Sequence, residues 1–388
     1  MNNLNNIGSA AQLSSDAREI VGVDLVDTEI QEALSILLLS LKAEAQLSES
    51  GTIAMKERLL RILCNRLRMM TDYQNHPEIN DQKIVRPLFL TGGGRTGSTK
   101  LHKLLAASGD FKYLPFWQAH HPSLRSGDRK EGPATRIQEA DEFVKWFDSH
   151  APKARMVHAY DTLETEEETH IYEQATFGFY IFSVAFVPGF MAWYATQDFS
   201  KMAEYFSKVM KYLQWQFHDG DPRPWIFKYP AYQSYEPELR RLFPDATLVA
   251  THRNPVSTLT SSASLFSAYY EAYSDAKIDK TIGAMMVEGQ AGRIDLLLQA
   301  RKEHPNLGVL DIGYTELTRS VDSVIEKIYK HADMPLSDQA RVNMSAWENS
   351  NIQHKHGAHK YTPEQFGLEL TEAEGRYQAY TEQFGHLF

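Results

Sequence analysis

The segment with the clearest capacity for chemistry is a turn rich in glycine. Residues 87–105 read PLFLTGGGRTGSTKLHKLL, which places four glycines between an apolar run and a helix that begins near Ser98. Glycine lets the backbone approach a phosphate closely, and the amides at the start of the following helix point at the anion with a favourable dipole. The segment therefore predicts an anion cradle at the end of a strand.

The spacing of this turn resembles a Walker A loop with one difference. The lysine expected after the second glycine is absent, and Ser98 stands in its place. Its absence argues against an ATPase or GTPase. A plain strand-to-helix turn would need only one or two glycines and would not explain Arg95 and Thr99 beside them.

A second motif lies in residues 244–266, PDATLVATHRNPVSTLTSSASLF. A strand from Thr247 to Thr251 would deliver His252 and Arg253 at its carboxyl end, where open α/β sheets collect ligands. Ser261 follows Arg253 by eight residues, in the second turn of a helix. A guanidinium and a hydroxyl so placed suit a phosphate, although an Arg-Asn-Pro sequence is also an ordinary helix entry.

The elements that must position these motifs are short apolar runs separated by helical segments. Each run is rich in strand-forming residues, as expected for buried parallel strands, so the fold class is α/β, a three-layer sandwich around a central parallel sheet. The four runs are Pro87 to Leu90, Trp225 to Phe227, Leu248 to Ala250 and Leu307 to Leu310.

The N-terminal part has a different pattern. From about Thr28 to Met70 apolar residues recur at helical spacing, which predicts an N-terminal helical region at 1–83 and a catalytic domain at 84–388. The tail after Thr371 is predicted to be one terminal helix.

The uncharged segment Phe177 to Ala195 approaches membrane-spanning length, but Pro188 and Gly189 interrupt it. This pattern favours a buried helical hairpin or the wall of an acceptor pocket over a membrane span.

The composition excludes some partners. The 388 residues carry a formal charge of −10, which argues against binding nucleic acid or an anionic membrane surface without a local basic patch. The one cysteine, Cys64, cannot form an intramolecular disulfide, and the N-terminus has no secretory signal pattern. We therefore expect a cytoplasmic protein without a membrane span.

The two motifs, in this order and about 155 residues apart, resemble those of sulfotransferases that use 3′-phosphoadenosine 5′-phosphosulfate (PAPS). RPWIFKYPAYQSYEPELRRLFPDA resembles the Trp-x-x-Lys-x-Pro stretch of the bacterial branch, and GVLDIGYTELTRSVDSVIEKIYKHADMPL resembles its Tyr-Glu-x-Leu strand and helix. HGAHKYTPEQFGL is similar to its C-terminal loop. The resemblance implies the P-loop NTPase-like sulfotransferase fold and covers the chain from about Leu88 to the end.

Carried onto this sequence, the resemblance implies how the donor PAPS and the product 3′-phosphoadenosine 5′-phosphate (PAP) are held. Arg253 and Ser261 would hold the 3′-phosphate, and His359 would contribute from the C-terminal loop. The glycine-rich turn would hold the 5′-phosphate through Gly94, Arg95, Thr96, Gly97, Ser98 and Thr99.

The resemblance also implies the catalytic groups. Arg95 stands where the cytosolic enzymes carry a lysine that assists the departing phosphate oxygen. An arginine stabilises charge but does not readily give up a proton. Lys228, at the end of the predicted strand Trp225 to Phe227, is therefore the expected mobile donor.

Removal of the acceptor's proton needs a base. His158 lies where the family keeps a histidine, and Glu167 matches the glutamate that follows it, either orienting His158 or acting on the acceptor directly. His170 is an alternative base. Glu164, Glu166 and Glu168 crowd the same stretch, which could instead be a solvated acidic helix start.

Two further sites are excluded or disfavoured. Gln118 falls where the bacterial branch often has a glutamate, and an amide cannot act as a base. The run His354, His356 and His359 has a spacing that could suggest metal, but Lys355 and Gly357 between them suit a nucleotide contact better. No metal is expected.

The leading hypothesis is therefore transfer of a sulfuryl group from PAPS to a hydroxyl of a small apolar or aromatic alcohol or phenol. The alternatives are an ATP-dependent kinase of the P-loop class and a nucleotide-binding scaffold that has lost the chemistry. The sequence leaves open whether the chain forms a homo-oligomer.

Overall fold

The computed structural model describes residues 7–128, 132–351 and 361–388. Its centre is a parallel sheet of four strands in the order β2-β1-β3-β4. The strands are β1 (Leu88–Leu90), β2 (Ile226–Lys228), β3 (Thr247–His252) and β4 (Val309–Gly313). Each of the four predicted apolar runs contributes a strand, so the predicted α/β class with a central parallel sheet is confirmed.

The strands read as apolar runs because helices cover both faces of the sheet. All three residues of β1 and of β2 are buried, and Leu90 pairs with Lys228 on one side and with Val249 on the other. This register brings the carboxyl ends of β1, β2 and β3 to one edge. The glycine-rich turn, Lys228 and Arg253 therefore share that edge.

Helices make up most of the remaining structure. Before the second strand they are α1 (Ala10–Val21), α2 (Gln31–Glu44), α3 (Glu49–Asn75), α4 (Ser98–Ala107), α5 (Phe116–His120), α6 (Ala134–His150), α7 (Pro152–Val157), α8 (Thr169–Thr176), α9 (Gly178–Val184), α10 (Pro188–Tyr194) and α11 (Phe199–Phe217). After it they are α12 (Glu236–Leu242), α13 (Pro255–Tyr270), α14 (Asp279–Glu303), α15 (Tyr314–Arg319), α16 (Val321–His331), α17 (Asp338–Ser350), α18 (Leu370–Arg376) and α19 (Gln378–Phe384). Short 3₁₀ segments lie at Pro77–Asp81, Pro230–Ser234, Pro363–Phe366 and Gly385–Leu387.

The long helix α3 is joined to the rest of the protein by buried charge. Arg58 donates to Glu173 of α8 at 2.6 Å, and both side chains are almost fully buried. Burial by itself would raise the pKa of Glu173, but the positive charge of Arg58 and the other surrounding groups lower it to about 2. Removing one member would leave the other charge buried and unpaired, so this pair fixes where α3 packs.

The uncharged segment Phe177 to Ala195 forms two short helices, α9 and α10. Pro188 is the first residue of α10, where its missing amide hydrogen costs no helical hydrogen bond. Phe190 is buried in a core cluster to which α2 and α3 also contribute. In the described ranges, no helix has both the length and the apolar character needed to span a bilayer.

The C-terminal tail differs from the prediction of a single helix. It forms α18 and α19, which are separated at Tyr377. Tyr377 is buried and donates to the carbonyl of Val287 at 3.1 Å, while Tyr380 lies 2.8 Å from Nδ1 of His252. The break allows both rings to be buried, one against α14 and the other against the end of β3.

Candidate functional site

The glycine-rich turn is shaped by close packing on one side and open space on another. A Cβ atom added to Gly92 would lie 2.7 Å from the backbone nitrogen and oxygen of Thr251, whereas one added to Gly94 would have no neighbour within 4 Å among the described residues. Gly97, just before α4, has a φ of 85°, in the left-handed region that favours glycine. The turn thus lies tightly against β3 and exposes its backbone at Gly94.

This contrast predicts opposite effects for two alanine substitutions. Gly92→Ala must push β3 away and should destabilise the protein by about 1–3 kcal/mol, as overpacking in a core does. Gly94→Ala should leave the melting temperature nearly unchanged but weaken binding of an anion to the turn. Thermal denaturation and calorimetric titration separate the two effects, and equal melting temperatures for both variants would contradict the packing argument.

Two hydroxyls of the turn have partners within the protein. Thr96 Oγ1 lies 2.6 Å from the carbonyl of Gly93 and 2.6 Å from Oγ1 of Thr251, so this hydroxyl fixes the loop to β3. Thr99 Oγ1 accepts from Lys228 Nζ at 3.2 Å. Ser98 is the first residue of α4. In this arrangement the side chain of Thr96 holds the loop, and the backbone amides around it are left to meet an anion.

Arg95, Arg253 and Ser261 lie together in the structure. Arg95 donates from Nε to Ser261 Oγ at 2.9 Å, and Arg253 donates to the carbonyl of Arg95 at 3.0 Å. The guanidinium carbon of Arg253 lies 4.1 Å from the ring centroid of Tyr314. Among the residues that the structure describes, neither arginine forms an ion pair with a carboxylate. Two positive charges are thus held beside the turn and remain available to an anion.

Lys228 is buried beside α4 at the end of β2. Its ammonium group donates to Thr99 and to Oε1 of Glu167, and its side chain is only 3% exposed. Its backbone amide donates to Oε2 of the fully buried Glu168 at 2.8 Å. Burial raises the pKa of Glu168 well above its usual range. The neighbouring glutamates 167 and 168 therefore hold the two ends of the lysine.

His158 follows α7 and contacts a carboxylate, but that carboxylate is Glu166. Nε2 of His158 lies 3.2 Å from Oε1 of Glu166. Although burial raises the pKa of Glu166, the charge and hydrogen bond of His158 lower it to about 2. Glu167 was expected either to orient His158 or to act on the acceptor directly. Glu167 instead contacts Lys228, because the chain directs successive side chains at this position to different neighbours.

The alternative base, His170, lies deeper in the protein. Its side chain is 1% exposed and lies 3.8 Å from Glu173, and its ring packs against those of Phe116 and Tyr180. Burial lowers its pKa. Because His158 is 14% exposed and lies next to Val157, whose carbonyl accepts from Arg95 at 3.4 Å, His158 is the histidine closer to the turn.

The remaining predicted site residue, His359, lies outside the described residues, as do His354 and His356. Within the described ranges no group of three histidine, cysteine or carboxylate side chains comes together as a metal site would. The side chain of Gln118 is buried.

Comparison with known proteins identifies the chain. The sequence profile of the sulfotransferase family matches residues 87–338, about two thirds of the protein. The chain belongs to the sulfotransferase family.

Solved structures agree with this assignment at the level of the fold. Sulfotransferase STF1 from Mycobacterium tuberculosis H37Rv superposes with a TM-score of 0.81 at 24% identity, covering 96% of this chain and 99% of the other. Sulfotransferase STF9 from Mycobacterium avium gives 0.83 at 22% identity, covering 97% and 96%. No curated protein sequence matches this sulfotransferase significantly.

Sequence reasoning missed several groups that complete the site of this sulfotransferase. Glu166 was noted only as one of a crowd of acids, and Tyr314 only as part of a motif. The sequence held no signal that Thr251 fixes Thr96 or that Glu168 holds the backbone of Lys228. These contacts join parts of the chain that are about 60 or more residues apart.

Proposed function

We propose that this sulfotransferase transfers a sulfuryl group from PAPS to a hydroxyl of a small apolar or aromatic acceptor. The observation that carries the proposal is the pair Arg95 and Arg253, which lies beside the open glycine-rich turn. In the described part of the chain neither arginine has a carboxylate partner. Guanidinium groups bind phosphate through two parallel hydrogen bonds. The family match favours sulfuryl transfer over the kinase alternative.

The residues present fit such a donor. The backbone from Gly94 to Thr99 would hold the 5′-phosphate, and Arg253 with Ser261 would hold the 3′-phosphate. The open space at Gly94 supports this assignment, because a Cβ there would occupy the approach to the backbone. PAPS, when bound, supplies an activated sulfuryl group on its phosphosulfate.

His158 is proposed to take the proton from the acceptor hydroxyl. In the neutral form that a base requires, Nε2 of His158 would donate to Glu166, and Nδ1 would then be able to accept the proton. Glu166 then stabilises the imidazolium that forms, in the way that a carboxylate supports a histidine base in hydrolases. A carboxylate whose pKa is about 2 stays ionised across the neutral pH range.

Lys228 is proposed to give a proton to the phosphate oxygen that departs. Its contact with Thr99 places the ammonium group against the first turn of α4. Glu167 holds the charged ammonium in place before the donor binds. Arg95 contributes positive charge beside the glycine-rich turn but does not act as a proton donor, because its guanidinium stays protonated at neutral pH.

The acceptor is proposed to contact an aromatic wall next to His158. The ring centroid of Tyr160 lies 5.1 Å from that of His158, and its hydroxyl lies 3.3 Å from the hydroxyl of Tyr180 and 3.2 Å from that of Tyr269. Tyr180 belongs to the uncharged segment that the sequence analysis associated with an acceptor. Aromatic walls bury apolar ligands and position them.

The test is calorimetric titration of the protein with PAP, repeated with Arg253→Gln and with the exposed control Arg319→Gln. We expect wild type and the control to bind PAP without added metal, and Arg253→Gln to bind about 10–100-fold more weakly. Absence of PAP binding by the wild type would refute the proposal. Tight binding of ATP that requires Mg²⁺ would favour the kinase.

A further inference from the structure

A cleft beside the glycine-rich turn contains an arginine that the proposed chemistry does not use. The cleft runs between the turn, α13 and α14, and its empty space, including the part open to solvent, amounts to about 490 Å³. Gly93, Gly94 and Arg253 line one end, and Arg293 of α14 also lines it. The cleft therefore connects the proposed donor site with a further positive charge.

The guanidinium of Arg293 is partly buried and lacks a carboxylate partner in the described residues. Within residues 7–128, 132–351 and 361–388 it donates no hydrogen bond and meets no carboxylate, and the groups that act on its charge are the phenols of Tyr229, Tyr377 and Tyr235. Burial lowers its pKa. A partly buried guanidinium without a counter-ion has hydrogen-bond donors available to an anionic ligand in the cleft.

The three arginines that are buried in the described part of the chain are paired, whereas the partly buried Arg68, like Arg293, forms no ion pair there. Arg58 meets Glu173, Arg66 meets Asp27, and Arg136 meets Asp128. The arginines without a carboxylate around the turn are Arg95 and Arg253, which are proposed to meet the phosphates of the donor. Arg293 also lacks a carboxylate partner in the described residues. Its expected partner is therefore an anionic ligand, as proposed for Arg95 and Arg253.

The surroundings of Arg293 leave it open to a ligand. Gly289, one helical turn earlier, has no side chain to cover it, and a Cβ added there would have Nη1 of Arg293 as its nearest neighbour at 3.8 Å. The apolar Met286 and Ile294 line the same cleft, together with polar side chains that include Gln233, Thr258, Ser262 and Gln290. A lining of this kind suits a ligand that is apolar over part of its length and acidic at one end.

Arg293 also borders the segment assigned to the acceptor. Its guanidinium carbon lies 5.9 Å from the ring centroid of Phe179, in α9. Phe179 in turn lies 6.0 Å from the ring of Tyr229, the residue after Lys228. Arg293 therefore lies next to the aromatic side chains of α9 and of the residue that follows β2.

We infer that Arg293 binds an acidic group of the acceptor, so that the substrate class is a hydroxylated organic acid with an apolar body. The inference rests on the proposed function. A carboxylate meets the guanidinium of Arg293 while the acceptor hydroxyl lies toward His158 and Lys228. The donor phosphates are already assigned to Arg95, Arg253 and Ser261, which leaves Arg293 for the acceptor.

The experiment compares matched probes on the PAP-loaded protein by calorimetric titration. The pairs are 4-hydroxyphenylacetate with 4-methylphenol, and 12-hydroxydodecanoate with 1-dodecanol. In at least one pair we expect the wild type to bind the acid about 10–100-fold more tightly, and Arg293→Gln to lose that preference while binding the neutral probe as before. Arg376→Gln removes a guanidinium that pairs with Asp295 on the exposed side of α14 and should retain the preference.

The outcomes separate this inference from the proposed function. Equal binding of acid and neutral probes by the wild type in both pairs, or an unchanged preference in Arg293→Gln, would overturn the inference while leaving PAP binding intact. A loss of PAP affinity of about 10-fold or more in Arg293→Gln would assign the arginine to the donor and overturn it as well. If Arg293→Gln does not fold, Arg293→Lys keeps the charge and should retain part of the preference. If the wild type binds no PAP, the same titrations on the free protein decide whether Arg293 binds acids.

Discussion

Replacement of His158 by alanine is expected to lower kcat by about 10²–10⁴-fold, the usual contribution of a positioned general base. The affinity for PAP should remain close to that of the wild type, because His158 is not assigned to the nucleotide. Calorimetry with PAP and turnover with labelled PAPS measure the two quantities separately. His150→Ala is the matched control, since His150 is an exposed histidine at the end of α6.

A substitution of Glu166 tests the role of His158 in a second way. Glu166→Gln keeps the shape of the side chain but removes the charge that faces Nε2 of His158, so it should lower kcat with little change in PAP affinity. Its effect should largely disappear in the His158→Ala background, because a residue that acts through another has nothing left to act on. An unchanged kcat in His158→Ala would remove this histidine from the mechanism and direct attention to Glu167 and His170.

The second large effect is expected for Lys228. Lys228→Ala should lower kcat by about 10²–10³-fold, the range seen when a group that stabilises developing charge is removed. Lys228→Arg keeps a positive charge but not a proton that is readily given up. If the lysine acts as a proton donor, the arginine variant should bind PAP and still turn over slowly. Recovery of wild-type kcat by Lys228→Arg would show that charge alone suffices.

The buried position of Lys228 calls for a control against simple structural damage. Removing the ammonium group leaves Glu167 without its cation, which destabilises the site for a reason unrelated to catalysis. The double variant Lys228→Ala/Glu167→Gln removes both charges and should restore the melting temperature toward that of the wild type. If kcat recovers together with stability, Lys228 serves as a structural partner of Glu167 and our assignment is wrong.

His158 and Lys228 are held by neighbouring residues of one segment. Glu166 and Glu167 are adjacent in the chain, and they hold His158 and Lys228 respectively. A shift of this loop would therefore move the proposed base and the proposed proton donor together. For this reason the effects of substitutions at the two residues should not be strictly additive.

The sequence by itself determined the elements and the motifs they carry. The strands were predictable because buried parallel strands are continuous apolar runs, a property visible within a few residues. The glycine-rich turn was recognisable because a backbone that approaches an anion requires glycine at fixed positions near a helix start. The spacing of Arg253 and Ser261 placed both near one helix start, since Asn254 and Pro255 begin α13 locally.

Only the tertiary structure decided which side chains meet. Lys228 and Thr99 are 129 positions apart, and Arg95 and Ser261 are 166 apart, so these contacts depend on how whole elements pack. The same is true of the choice between Glu166 and Glu167, which depends on the direction each side chain takes in an irregular segment. The tail breaks at Tyr377 because burying two tyrosines outweighs the continuity of one helix. Arg293 lacks a carboxylate partner in the described ranges as a result of how the helices pack, and no local pattern in a sequence shows this.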